Sequence, residues 1–247
     1  MEREDYARMY ELEDSYWWFV GKRCIADVLL RTVATTGADR LALDVGCGTG
    51  GTLQHLLSRY GRGVGLDISA TALGYCLQRG LDRLCQGSAP HLPFADGSFD
   101  LLTALDLLYH EWIDDDREAL RECARVLRPG GWLLVTDSAL PILWSKHDVR
   151  YHARRRYTRG RLQSSMEAAG FVVRKLSYVN AILFPIAMAF RTWSRLSGSV
   201  SADDLLLRPL PGWLNGLLTG IYTLEARGLR WLDYPAGVSV VCLAQKP

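Results

Sequence analysis

Apolar residues recur along this chain with two alternating periods. Short apolar runs of strand length lie at 40–45, 63–68, 81–86, 99–105, 132–136, 171–179 and 238–244. A run of that length, bounded by turn residues, predicts a buried strand. Between the runs the spacing changes to that of helices. Leu53, Leu56, Leu57 and Tyr60 fall on one face of a predicted helix over 52–60. Ser69 can N-cap a helix that Gly80 terminates. Residues 114–127 open with three Asp, end with Arg125 and Arg128, and carry the stripe Ala119, Leu120, Cys123, Leu127. Those charges complement a helix dipole, and Pro129-Gly130-Gly131 is expected to stop the helix. A further helix is predicted over 162–169, ended by Gly170.

Strands alternating with helices predict an α/β fold: a seven-stranded, mostly parallel, doubly wound sheet. Two segments break the rhythm. Residues 1–38 read as a helical cap, in which Tyr16-Trp17-Trp18-Phe19 places four aromatics in a row, more than one core-facing stripe can hold. Residues 179–235 read as a helical insertion before the last strand, with Pro185, Pro209, Pro211 and Pro235 among apolar and aromatic pieces. A lid over an apolar acceptor has this character, as do a homodimer interface and a membrane-surface helix. Residues 39–178 and 236–247 then form the core of a single domain spanning 1–247.

Composition narrows the class. The 247 residues are 49% hydrophobic and 23% charged, an ordinary globular balance. The 29 basic and 27 acidic residues leave a net charge of +2, which gives a nucleic-acid role no support. The longest apolar stretch, 181–190, is too short for a bilayer, which needs about 20 residues, so no stable membrane insertion is expected. The start is acidic and lacks the apolar run of a targeting segment. Six scattered cysteines form no C-x-x-C pair and read as buried thiols, so the chain is expected to be cytoplasmic.

The chemistry begins at Asp44-Val45-Gly46-Cys47-Gly48-Thr49-Gly50-Gly51, between a strand and a helix. Gly46, Gly48 and Gly51 satisfy G-x-G-x-x-G, and Asp67 lies 21 residues after Gly46. Taken alone this matches a dinucleotide fingerprint, and a nicotinamide-dependent oxidoreductase is one alternative. Asp44 argues against it, because a carboxylate at the strand end repels a pyrophosphate and attracts a ligand bearing an ammonium and a sulfonium. Asp67, at the end of the second strand, can accept from two ribose hydroxyls.

The segment 41–50 resembles the first motif of class I S-adenosylmethionine-dependent methyltransferases. The resemblance continues through Val64-Gly65-Leu66-Asp67-Ile68-Ser69, Leu92-Pro93-Phe94, Gly97-Ser98-Phe99-Asp100-Leu101, and Glu122 with Arg125-Val126-Leu127-Arg128-Pro129-Gly130-Gly131. It implies a Rossmann-like fold with an antiparallel last strand. It also implies S-adenosylmethionine as cofactor, with S-adenosylhomocysteine as product. Gly46, Cys47 and Gly48 are then expected against the methionine portion, Asp67 on the ribose, Ile68 on the adenine, Ser88 and Ala89 at the adenine edge, and Leu105 as a backbone contact. Ser88 stands where the family often has an acid. In a subset of these enzymes an aromatic N-terminal helix closes over the cofactor. Trp18 and Arg23 match it, Arg23 as a partner for the methionine carboxylate. Trp17 and Trp18 can equally be core anchors.

Methyl transfer is an in-line displacement in which alignment supplies on the order of 7–11 kcal/mol. A base is needed when the acceptor holds its proton. His110, after the fourth strand, is the first candidate and His147 the second. Asp106, Trp144, His152 and Tyr157 are candidate acceptor contacts. His147, Asp148 and His152 lack further ligands at metal spacing, so no metal is expected. Arg154-Arg155-Arg156 is either a solvated face or a grip for an acidic acceptor. His55, His91 and the cysteines need no catalytic role. The expected function is methylation of a small or medium, partly apolar acceptor, with a hydroxyl favoured. The alternative is a methyltransferase-like protein catalysing a non-methylating reaction such as a cyclisation.

Overall fold

The computed structural model describes residues 3–34, 36–197 and 209–247, without the side chains of 147 and 194–197. Seven strands form one sheet: β1 (Leu41–Val45), β2 (Arg62–Asp67), β3 (Leu84–Gln86), β4 (Phe99–Leu105), β5 (Leu127–Ser138), β6 (Val172–Val179) and β7 (Ser239–Gln245). Their order is β3-β2-β1-β4-β5-β7-β6. The strands from β3 to β5 pair in parallel, and β7 runs antiparallel to both β5 and β6. The order reverses between β1 and β4, where open α/β sheets bind ligands beyond the strands' carboxyl ends.

Helices cover both faces, so the central strands are apolar on both sides rather than alternating. One face buries Leu43, Leu102, Leu133 and Val135 under α5 (Asp116–Val126) and α7 (Arg159–Ala168). The other buries Ala42, Leu101, Leu134, Val241 and Leu243 under α2 (Trp17–Leu30), α3 (Gly51–His55) with its following turn, and α9 (Gly212–Gly228). The remaining helices are α1 (Arg3–Leu12), α4 (Ala70–Gln78), the short α6 (Lys146–Arg150) and α8 (Phe184–Ser197).

The caps form as their residues demand. Ser69 Oγ accepts from the Ala72 amide at 3.3 Å, and Asp115 Oδ1 from the Arg117 amide at 2.9 Å. Several family-like motifs prove to be fasteners of the scaffold. Glu122 accepts from the Leu92 amide at 2.8 Å, and Arg125 donates to the carbonyls of Leu92 and Phe94, binding the loop before β4 to α5. Asp100 accepts from the Leu41 amide and, through both carboxylate oxygens, from Arg128 Nη1, joining β1 to the start of β5.

Two expectations change. The helix over 52–60 ends at His55 and continues as a single 3-10 turn over 57–59. The Pro129-Gly130-Gly131 stretch lies within β5, which leaves α5 directly at Leu127. Strand pairing absorbs it with an irregularity between the Phe99 and Leu101 registers. The N-terminal segment and the segment before β7 also meet. Helix α9 packs along α2 and shares its buried cluster. Tyr222 lies over Gly21, where an added Cβ would come within 1.8 Å of its ring. Asn215 locks the pair, accepting from the Trp17 amide at 2.8 Å and donating to the Ser15 carbonyl at 2.9 Å. Residues 198–208 of the expected insertion fall outside the described residues.

Candidate active site

Beyond the carboxyl end of β1 the chain turns sharply. The amides of Gly46 and Cys47 both donate to the Leu66 carbonyl, at 2.7 and 2.9 Å. Gly46 and Gly48 adopt φ of +75° and +55°, a region that penalises a side chain. A Cβ on Gly48 would also meet Met9 Cε at 2.8 Å. Asp67, ending β2, ties the turn to the next helix: Oδ2 accepts from the Gly48 amide and Oδ1 from the Ser69 amide, each at 2.9 Å. Burial raises its carboxyl above the usual range.

Asp44 lies beneath this turn, almost fully buried, with Oδ1 accepting from Thr103 Oγ1 at 2.6 Å. Burial pushes its carboxyl up to about 7, opposed by the Thr103 bond and assisted by the nearby charges of Glu13 and Asp67. Such a group favours a cationic ligand, which would draw it to the ionised form.

These residues open into a cavity of about 530 Å³, within the range of small-molecule sites. Trp18, Arg23, Asp44, Gly46, Cys47, Gly48, Asp67, Ile68, Ser88, Ala89, Leu105, Asp106 and His110 all line it. Ile68 is half exposed at its rim, an apolar surface held open to a ligand. The continuing wall is apolar, formed by Phe19, Leu183, Ile186 and Phe190. His110 stands between these regions, stacked on Tyr109 with ring centroids 4.2 Å apart. Its Nδ1 is buried without a partner among the described residues. Burial lowers its pKa to about 4, so the ring is neutral near pH 7.

Other expected contacts lie elsewhere. Tyr157 is fully buried and donates to Asp116 Oδ2 at 2.7 Å, so it belongs to the core beneath α5. His152 pairs with Glu111 at 2.9 Å beside Trp112, outside the cavity wall. Trp144 does not line the cavity either. The His147 side chain lies outside the described residues. The arginine run divides: Arg154 is exposed and pairs with Asp114, whereas Arg155 and Arg156 are buried. Arg155 donates to the carbonyls of Ile113 and Asp114, and buried Arg156 makes two bonds to Asp148, at 2.7 and 2.9 Å. Arg23 reaches the cavity, but its guanidinium donates to the carbonyls of Glu13 and Asp14 rather than standing open for a carboxylate.

Several contributors escaped the sequence reading. Lys22 is buried, pairs with Asp106 and sits 4.5 Å from the Trp18 ring centroid. Glu13 enters beneath the glycine turn, accepting from the Gly51 amide at 3.0 Å, from Thr49 Oγ1 and from Arg79. Helix α1 brings Tyr6 and Met9 over the same turn. Asn180 joins the far wall. Each depends on contacts between distant segments, so no local signal announced it. Among the described residues no group of three His, Cys, Asp or Glu is placed to hold a metal ion.

Residues 43–135 match the methyltransferase-domain family, and this stretch contains the end of β1, the glycine turn, Asp67 and His110. That match spans less than half of the chain, which over this stretch is similar to methyltransferase domains. The chain is 35% identical over 157 residues to the malonyl-[acyl-carrier protein] O-methyltransferase of Enterobacter lignolyticus, covering 59% of each. It spans 38% to 59% of the lengths of three curated relatives that it matches. Among solved structures, an S-adenosylmethionine-dependent methyltransferase of Thermotoga maritima superposes with a TM-score of 0.60, covering 99% of this chain and 96% of that one at 18% identity. The [4+2]-cyclase SpnF superposes with a TM-score of 0.57, covering 90% and 80% at 22% identity. At these identities the structural likeness is one of fold.

The cofactor of the family is S-adenosylmethionine, and the site's charges suit it. Asp44, Asp67 and buried Glu13 surround the glycine turn, a setting hostile to pyrophosphate and favourable to a cation.

Proposed function

We propose that this methyltransferase transfers the methyl group of S-adenosylmethionine to an oxygen of a small or medium, partly apolar acceptor, with a hydroxyl as its favoured target. The observation that carries the reading is the buried, unpartnered, neutral His110 Nδ1 on the wall of a largely apolar cavity. The cofactor supplies a methyl group activated on a sulfonium. In this reading Asp44 stabilises the positive charge, Gly46 and Gly48 allow close backbone approach, and Asp67 holds the ribose. Ile68, Ser88, Ala89 and Leu105 bound the adenine. His110 Nδ1 accepts the hydroxyl proton as the oxygen forms its new bond to carbon. Lys22, paired with Asp106, balances charge at the acceptor end. The relative that methylates malonyl-[acyl-carrier protein] on oxygen supports oxygen as the receiving atom. Residues 39–178 with 236–247 act as the cofactor-binding core of one domain, and the cap and the 179–235 insertion shape the acceptor's space.

Incubation with methyl-labelled S-adenosylmethionine and a panel of hydroxylated and carboxylated acceptors tests the proposal. Label is expected on an acceptor oxygen. His110→Gln should lower kcat for a hydroxyl acceptor by roughly 10²–10⁴-fold, the usual worth of a positioned base. A carboxylate acceptor, already deprotonated, should lose little. Product formed without label would favour the cyclisation-type alternative, for which the shared fold of the cyclase is the supporting observation.

A further inference from the structure

Asn180 follows β6 directly and turns the chain toward α8 with a φ of +57°. Its side chain lines the cavity, is 3% exposed, and leaves Oδ1 without a partner among the described residues. Asparagine is one of the few non-glycine residue types that accept positive φ readily. Here α9 holds the turn. Glu225 Oε2 accepts from the amides of Ala181 at 2.8 Å and Ile182 at 3.0 Å, the two residues that follow Asn180. A buried carboxylate on a distant helix thus fixes the turn that carries the amide. A buried amide oxygen left unmatched forfeits the hydrogen bond it had with water. Ser138 and Ser239, at the adjoining ends of β5 and β7, line the same region. The rest of the nearby wall, from Leu183 to Phe190, is apolar.

We infer that Asn180 forms a polar subsite which takes a hydrogen-bond donor on the acceptor, a second hydroxyl or an amide N–H separate from the atom that is methylated. The inference rests on the acceptor occupying this cavity, and it names the substrate class: an apolar molecule carrying two donor groups. Glu225 is the positioning residue that holds the subsite in place.

The test uses the full-length protein, first titrated with S-adenosylhomocysteine, then with a medium-chain alkanol and the matched set of alkanediols. At least one diol should bind roughly five- to tenfold tighter than the alkanol, the worth of one well-made hydrogen bond. The methyl ether of that diol's second hydroxyl, which accepts but cannot donate, should bind like the alkanol. Asn180→Gly accepts the same φ without strain and should erase the preference. Asn180→Asp keeps an acceptor oxygen and should retain it. A diol preference that persists in Asn180→Gly, or no preference for any diol, overturns the inference. Failure to bind S-adenosylhomocysteine would instead count against the methyltransferase reading, and the diol-to-alkanol ratio of the protein without that ligand would still decide the role of Asn180.

Discussion

A carboxylate beneath a largely apolar cavity is stable only if it is neutral or faces a cation, and Asp44 is placed so that a ligand decides which. Its pKa is raised from 3.8 to about 7, chiefly by burial. Across that interval the folded chain binds more protons than the unfolded one, so this group's contribution to stability falls as pH rises from 3.8 toward 7. Cofactor binding reverses the preference, because a sulfonium favours the ionised carboxylate. Affinity for S-adenosylmethionine should therefore rise about tenfold per pH unit below 7 and level off above it. Calorimetry at pH 6 in buffers of different ionisation enthalpy should detect close to one proton released on binding. A pH-independent affinity between 5.5 and 8, with no proton release, would place the Asp44 carboxylate outside the cofactor's influence. Asp44 and Asp67 were legible in the sequence because each stands at a strand end beside a glycine or a cap. Lys22 and Glu13 were not, because the side chains they serve, Asp106 and Thr49, lie 84 and 36 residues away, and Asn180 was not, because the turn that carries it is tied to Glu225 on a distant helix. Tyr157 misled because an aromatic among arginines looks like an acceptor contact until its hydroxyl is seen to serve Asp116.

Elements tell a parallel story. The seven strands were readable because each is a short apolar run between turn residues, and each of the seven is present. The helix pair α2 and α9 was not, since nothing local in 17–30 or 212–228 reveals that the two surfaces match. Gly21 and Tyr222 show how closely they match. Gly21→Ala should destabilise the protein by about 1–3 kcal/mol, because the ring must give way. In a Tyr222→Ala background the obstruction is gone, and the same change should become neutral or stabilising by up to about 1 kcal/mol through helix propensity. Urea unfolding of the four proteins in this double-mutant cycle reads the reversal directly. Additive effects would mean that the two helices do not meet through this contact. Trp17 and Trp18 stack against the same tyrosine, with centroids 6.0 and 6.1 Å from it, while both line the cavity. The aromatic run therefore anchors the helix pair and walls the site at once.

At the scale of the molecule, cap and insertion are the means by which a common fold acquires its own cavity. The methyltransferase domain supplies the glycine turn and Asp67, while α1, α2 and α8 supply Met9, Trp18 and Phe190 along the remaining wall. No helix among the described residues is long and apolar enough to cross a membrane. The glycine spacing alone left a nicotinamide cofactor open, and the acidic setting around the turn is what separates the two ligands. The most direct measurement is a calorimetric titration of S-adenosylhomocysteine into the wild-type protein and Asp67→Ala, each shown by thermal unfolding to be folded. Saturable one-site binding is expected for the wild type, with affinity lowered roughly ten- to hundredfold in the variant through loss of hydrogen bonds to a charged group. Equal affinity in the two proteins, or no binding to either alongside tight binding of a nicotinamide dinucleotide, would contradict the account.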